Sequence, residues 1–362
     1  MTTGRATAGR RSTSAPPVLV EVTRGERVES VHRGSIAVVA PDGSTVASVG
    51  DPDQFIYLRS SAKPFQLAPF VASGRFDGYQ LGTEALAIMA ASHSGEDRHV
   101  RLVQEILRRS GLTSSVLQNQ IHPPFDTETA HRLIRDGEQS TVLRGNCSGK
   151  HAGMVLFAKA SGWPLDSYWH PEHPVQRLAL ETISALSDVP IERVTTATDG
   201  CGVVSFGMPL RGLALAFARL ADPSAVADPP LREALIRIRD AMMAHPELVA
   251  GARRRIDTAL MLAYPTRIIS KGGAEGVLAM GLPPGALPPS APYGDGPMGI
   301  AAVIEDGNTA RRGGDVVSVE ILRQLGLATD PLPGSLAEYA SPAILDTRGE
   351  PAGTVHPAFR LS

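Results

Sequence analysis

The pattern of apolar and polar positions divides the chain into strand-like ends and a helix-like middle. Val18 to Val22 reads as a strand. Gly34-Ser35-Ile36-Ala37-Val38-Val39-Ala40, the turn Pro41-Asp42-Gly43 and Thr45-Val46-Ala47-Ser48-Val49 form a hairpin pattern. Phe55-Ile56-Tyr57-Leu58 ends another strand, after which Ala62 to Ala72 is apolar at helical spacing. Ser60 or Ser61 can cap that helix, and Pro64 is tolerable in its first turn. Thr83 can cap a second helix, Glu84 to Ala91, which stops at Ser92-His93-Ser94-Gly95. A third runs from Asp97 to about Ser110, and Pro123-Pro124 marks a loop. The glycine-bearing turn from Arg144 to Gly153 leads into an apolar helix from Met154 to Lys159. Further helices are expected near 175–187, 209–221 and 230–244, the first two separated by the loop Thr198-Asp199-Gly200-Cys201-Gly202. Val277 to Met280 and Met298 to Ile304 are strand-like, and Asp315 to Leu325 is a closing helix.

Strands, then helices, then strands and a last helix suggest an α+β fold: an antiparallel sheet built from both chain ends, with the helices packed alongside. Neither an internal repeat nor a clear linker divides it, so residues 18–362 are expected to form a single domain. Residues 1–17 lack periodicity and read as a disordered tail.

Of 362 residues, 43% are hydrophobic, enough for a sizeable core. The net charge of −2 gives no basic excess for nucleic acid or an anionic membrane. Arg10-Arg11 precedes only a short apolar run, Val18-Leu19-Val20, broken by Glu21; this is too short for a signal peptide. With no plausible membrane span further on, a cytoplasmic location is expected. Two cysteines, Cys147 and Cys201, rule out a multi-disulfide framework and fit a reducing compartment.

The polar residues around these elements carry candidate chemistry. In Arg59-Ser60-Ser61-Ala62-Lys63-Pro64, Ser60 and Lys63 share a helix face, whereas Ser61 would point elsewhere. A serine becomes a nucleophile when a base takes its proton, and a lysine serves as base only when burial or a nearby cation lowers its pKa. The helix N-terminus would also favour an oxyanion beside Ser60. Taken alone, the four-residue pattern describes a capping serine followed by a solvated lysine. Ser92-His93-Ser94-Gly95-Glu96 gathers proton-exchanging groups beside a glycine, or simply closes a helix. Lys271 lies between Ile268-Ile269 and Gly272-Gly273, either approaching a ligand or solvated before a turn, with Glu275 as an ion-pair partner. Cys147 and Lys150, three apart, and Cys201 in a similar glycine-rich loop offer sulfur and nitrogen to Zn²⁺. Two buried thiols or one disulfide are equally open readings, and His151 could act in place of Lys150.

Taken in order, R-S-S-A-K-P (59–64), S-H-S-G-E (92–96), G-N-C-S-G-K-H-A-G (145–153), T-D-G-C-G-V (198–203) and K-G-G-A-E-G (271–276) resemble the rhizobial-type L-asparaginase family over about residues 18–360. The resemblance implies a fold similar to serine β-lactamases and glutaminases, with two Ser–Lys pairs, Ser60 with Lys63 and Ser92 with Lys271. It also implies zinc held by Cys147, Lys150 and Cys201, substrate-pocket positions at Arg59, His93, His151 and Asp199, and a homodimer. Val204 stands where many relatives would have proline. The expected reaction is hydrolysis of L-asparagine to L-aspartate and ammonia: Ser60 attacks the side-chain amide with Lys63 as base, and Ser92 with Lys271 relays the proton. Two rival expectations are a β-lactamase-like or penicillin-binding acyl-transferase, whose patterns Ser60 to Lys63 and Lys271-Gly272-Gly273 partly echo, and a non-catalytic amino-acid or zinc sensor.

Overall fold

The computed structural model describes residues 15–310 and 312–362. Its strands are β1 (Val18–Arg24), β2 (Arg27–Val39), β3 (Thr45–Val49), β4 (Phe55–Tyr57), β5 (Thr195–Thr198), β6 (Val204–Pro209), β7 (Ile269–Ser270), β8 (Val277–Leu282), β9 (Met298–Ile304), β10 (Ala343–Leu345) and β11 (Pro351–Pro357). Eight of them make an antiparallel sheet in the order β10-β11-β1-β2-β9-β8-β7, with β3 added to β2. The long β2 serves two neighbourhoods: its first half pairs with β1, and Gly34 to Val39 pairs with β9 while Ile36 to Val39 also pairs with β3. Both chain ends therefore build one sheet, as the α+β reading expects. A separate three-stranded sheet, β4-β6-β5, stands apart from it.

All seven residues of β9 and all six of β8 are buried. Such strands must be covered on both faces. Side chains alternate along a strand, so Leu278 and Gly281 of β8 point to opposite faces. Leu278 lies against Gly314 in the helix Gly314–Leu325, whereas Gly281 faces Phe217 and Ala221 in the helix Leu210–Ala221. Gly281 pairs directly with Gly299 of β9. A Cβ on Gly299 would meet the Ala214 carbonyl oxygen at 1.9 Å, so this glycine is what lets the helix lie on the sheet.

A lobe of helices surrounds Lys63–Ala72, a helix buried along nearly its whole length and packed by Ser148–Ala160, Pro174–Ser187 and Pro229–Ala244. Phe70 stacks on Phe157 at 5.2 Å, fastening the first two together. No described helix is long and apolar enough to cross a membrane.

Several local expectations change. Neither Ser60 nor Ser61 caps the helix: residues 59–62 form a separate 3-10 turn, and the Ser61 hydroxyl donates to the Leu58 carbonyl at 2.5 Å. Thr83 is the first helical residue, and its hydroxyl bonds His245 at 2.8 Å instead of capping. The helix expected from Met154 begins at Ser148, which places Lys150 and His151 in its first turn. The hairpin β5–β6, the helices Thr127–Asp136 and Ile256–Ala263, and the strands β10 and β11 were not legible as elements. Of the tail, residues 15–17 approach the sheet, with the Gly34 amide donating to the Pro17 carbonyl; the rest lies outside the described residues.

Candidate active site

Three turns supply the polar residues. The 3-10 turn after β4 carries Arg59 and Ser60, the exit of the helix Thr83–Met89 carries Ser92 and His93, and the β5–β6 turn carries Asp199 and Cys201. Lys63 and Lys150 reach inward from helices and Lys271 from the residue after β7; they are 1%, 3% and 0% exposed. Buried lysines are costly unless their amines find partners or lose their protons.

Lys63 Nζ donates to the Ala91 carbonyl at 2.6 Å, Ser92 Oγ at 2.7 Å and Cys147 Sγ at 3.2 Å. Burial lowers its pKa, against the pull of Cys147. Three acceptors match the three donors of an ammonium. Ser60 is half-buried at the edge of this cluster, and no side-chain hydrogen bond joins it to Lys63 among the described residues. The formed serine–lysine contact therefore crosses between the two expected pairs: Lys63 holds Ser92.

Lys271 Nζ donates to the Gly272 carbonyl at 2.6 Å. Its pKa falls from 10.5 to about 7, chiefly through burial, with Lys63 and Arg255 lowering it and Asp257 and Cys147 opposing. The segment after β7 that carries it lies beside Ser60's turn, since a Cβ on Gly273 would come within 3.0 Å of the Leu58 carbonyl and 3.4 Å of Arg59 Cβ. The fold thus gathers both lysines and both serines, though no hydrogen bond joins Lys271 to Ser92 among the described residues.

Arg59 adopts a left-handed backbone (φ 51°), rare for a side chain of its size. From there its Nε donates to Asp199 Oδ1 at 2.8 Å, and its Nη1 lies 3.6 Å from Glu275 Oε1. Burial would raise the Asp199 carboxyl, but Lys150 and Arg59 hold it below the usual range. The pair is an anion and a cation side by side at the half-buried rim.

Cys147 and Cys201 are unpaired and buried. Lys150 Nζ donates to Cys201 Sγ at 2.8 Å, and the Cys201 thiol approaches Asp199 Oδ2 at 3.3 Å. The two sulfurs interact, and their pKa values separate. Cys201, with Lys63 and Lys150, draws Cys147 well down despite burial, while Cys201 is pushed up to about 11 by Cys147 and by burial. Burial alone would lower Lys150, yet Cys201, Cys147 and Asp199 raise it. Two sulfurs and an amine nitrogen suit Zn²⁺ in kind. No group of three or more His, Cys, Asp or Glu converges as a metal site among the described residues.

His151 lies beside Cys201, which acts to raise its pKa. Its Nδ1 lies 2.6 Å from Tyr168 Oη, which itself accepts the Gln118 amide at 2.8 Å. The tyrosine proton then goes to Nδ1, leaving hydrogen on Nε2, which is buried without a hydrogen-bond partner. Burial lowers this histidine to about 4, so it is neutral. His93 is fully buried with both nitrogens engaged: Nδ1 accepts the Gly95 amide at 3.2 Å and Nε2 meets Ser148 Oγ at 2.9 Å. It braces the Ser92 turn and has no ring nitrogen free for a substrate.

Residues 20–357 match the family model for L-asparaginase II. No curated protein matches the sequence. Among solved structures, the chain is similar to a probable glutaminase of Bacillus subtilis, with a TM-score of 0.39 and 12% identity over 81% of this chain and 88% of that one. It is also similar to Mglu in its native form (TM-score 0.38, 15% identity, 83% of this chain and 63% of that one) and to a Bacillus glutaminase (0.34, 13%, 76% and 84%). At these scores the structural likenesses carry no argument. The family match runs through every turn that builds the buried cluster: the chain belongs to the L-asparaginase II family and is an amidohydrolase.

Proposed function

We propose that the protein hydrolyses L-asparagine to L-aspartate and ammonia through a serine ester. The observation that carries this reading is the gathering of two buried lysines with Ser60 and Ser92, one amine bound to a serine hydroxyl and the other brought to about 7. Acyl transfer needs a nucleophile whose proton can be taken near neutral pH and returned to the leaving group.

Ser60 Oγ attacks the amide carbon, an oxygen–carbon bond forms, and the carbon–nitrogen bond then breaks. The proton lost by Ser60 is taken up within the Lys63, Ser92 and Lys271 set and leaves with ammonia. Lys63 is the base closest to Ser60 in sequence, but with three donors committed it stands as an ammonium, so it accepts a proton only after giving one up. Lys271, brought to about 7 chiefly by burial, is the amine that gives up its proton more readily. Water then attacks the ester and frees aspartate and Ser60. The α-ammonium and α-carboxylate of the substrate exchange with the Arg59–Asp199 pair, the guanidinium taking the carboxylate and Asp199 the ammonium.

Zinc belongs to the proposal, with Cys147, Lys150 and Cys201 as its holders. When bound, it would anchor the two turns and offer a Lewis acid beside Asp199. A homodimer in a reducing cytoplasm is the form this reading expects, with sedimentation as the check on assembly.

The test is ammonia release from asparagine and glutamine by the parent protein and by Ser60→Ala, alongside a chromogenic penicillin. Asparagine turnover that disappears in Ser60→Ala, with the penicillin untouched, is the expected result. Parent-rate turnover by Ser60→Ala would sink the nucleophile assignment, and penicillin cleavage would favour the rival acyl-transferase. Unequal zinc in the parent and Cys147→Ser is the expected elemental result; equal zinc removes that ligand.

A further inference from the structure

One short segment, absent from the sequence-based site, grips both sides of the cluster. Arg255 Nη2 donates to the Ser92 carbonyl at 3.1 Å, and its Nη1 donates to Ser94 Oγ and the Ala250 carbonyl, each at 3.0 Å. It therefore holds the residues on either side of His93. Asp257, two positions on, accepts from Ser270 Oγ at 2.7 Å and from the Gly272 amide at 2.9 Å, both through Oδ1. It holds the residues on either side of Lys271.

The segment is itself fixed in place. The Ala252 amide donates to Glu96 Oε1 at 2.8 Å, and Thr258 Oγ1 donates to the Gly251 carbonyl at 2.7 Å and the Pro246 carbonyl at 3.1 Å. Gly251 has φ 145°, and a Cβ there would lie 2.4 Å from Ser94 Oγ, so the backbone is pressed against the Ser92–Glu96 turn. Asp257, Thr258, Ser270, Ser92 and Ser94 are all buried. Buried, hydrogen-bonded polar groups of this kind specify position, because each group is costly when it loses its partner.

We propose that Arg255 and Asp257 are positioning residues that set the placement of the Ser92 turn relative to Lys271 and the charge around its amine. The proposal rests on the reading of Ser92 and Lys271 as parts of the hydrolytic machinery. Asp257 and Arg255 act on the lysine in opposite senses, the carboxylate favouring its protonated form and the guanidinium its neutral form. Lys63 also lowers it and Cys147 also raises it. Neutral Lys271 is the active form, so kcat/KM rises as pH passes through about 7.

The test is the pH dependence of kcat/KM for asparagine in the full-length parent, Asp257→Asn and Arg255→Gln, with a thermal melt of each. Asp257→Asn is expected to move the acid limb down by roughly one pH unit and Arg255→Gln to move it up by a similar amount. Each lowers kcat by about tenfold or more through misplacement. A merely structural role would lower activity and melting temperature together and leave the limb in place, which overturns the proposal, as do shifts in the same direction. Asp257→Ala removes the acceptor entirely; a larger kcat loss than in Asp257→Asn supports the clamp, and equal losses count against it. A parent that releases ammonia from neither asparagine nor glutamine fails the functional reading and the clamp with it. An active parent with unmoved limbs in both variants fails the clamp alone.

Discussion

Two regions of this protein are equally buried and opposite in chemistry. Around β8, β9 and the helix Leu210–Ala221, everything withdrawn from water is apolar or backbone paired in a ladder. Around Lys63, Lys150 and Lys271, burial falls on amines, thiols and hydroxyls. The first arrangement gains the hydrophobic free energy of burial and keeps its backbone satisfied. The second costs desolvation and recovers it only in part, through contacts such as Lys63 with Ser92 and Lys150 with Cys201. The sheet and its helix hold together a cluster that, by itself, would prefer water.

The comparison breaks most severely at Gly299. Gly299→Ala places a methyl within 1.9 Å of the Ala214 carbonyl and 2.2 Å of the Ala218 nitrogen, both backbone atoms that cannot turn aside. A loss of about 3 kcal/mol or more in urea unfolding is expected. A change under about 0.5 kcal/mol would mean that the helix does not lie on the glycine pair.

Lys271→Met probes the other region and has the opposite sign. It should abolish ammonia release while stabilising the fold by about 1–4 kcal/mol. The pH dependence follows from its lowered value. Between about 7 and 10.5 the unfolded chain binds a proton that the folded chain does not, so stability falls as pH drops through that window. Unfolding of the parent should show this slope and Lys271→Met should lack it; equal slopes would contradict a neutral buried amine.

A smaller effect is expected at His99, which burial lowers from 6.5 to about 4 while its Nε2 meets the Glu247 carbonyl at 2.8 Å. Below 6.5 the unfolded histidine takes a proton that the folded one refuses, so stability should fall on acidification toward about 4. The loss should be on the order of 2 kcal/mol, read by comparing urea midpoints of parent and His99→Gln across that range. The smallest effect belongs to the surface. Glu105→Gln removes the partner of Arg108 and Arg109, yet these charges lie in solvent and are screened by salt, so the melting temperature should not move.

Much of this organisation was legible along the chain because it is local. The alternation in residues 34–49, the continuous apolar run at Met298 to Ile304 and the helical spacing at 62–72 each arise within one element. So does the i,i+3 placement of Cys147 and Lys150. The β5–β6 hairpin was hidden because Thr195-Thr196-Ala197-Thr198 is exposed and lacks an apolar face. Arg255 and Asp257 were hidden for another reason. An arginine and an aspartate two residues apart look like any solvated pair, and only their partners, Ser92, Ser94, Ser270 and Gly272, distinguish them.

By itself the amino-acid order determined most element types, the α+β class, the family and the candidate serines, lysines and cysteines, since each rests on side-chain pattern over a few neighbouring positions. Tertiary structure alone decided which amine meets which hydroxyl. Lys63 lies three positions from Ser60, yet its hydrogen bond runs to Ser92, brought to it by the helix exit at Ala91. A buried amine takes whichever acceptors packing delivers, and packing is set by the sheet and the helical lobe, not by distance along the chain.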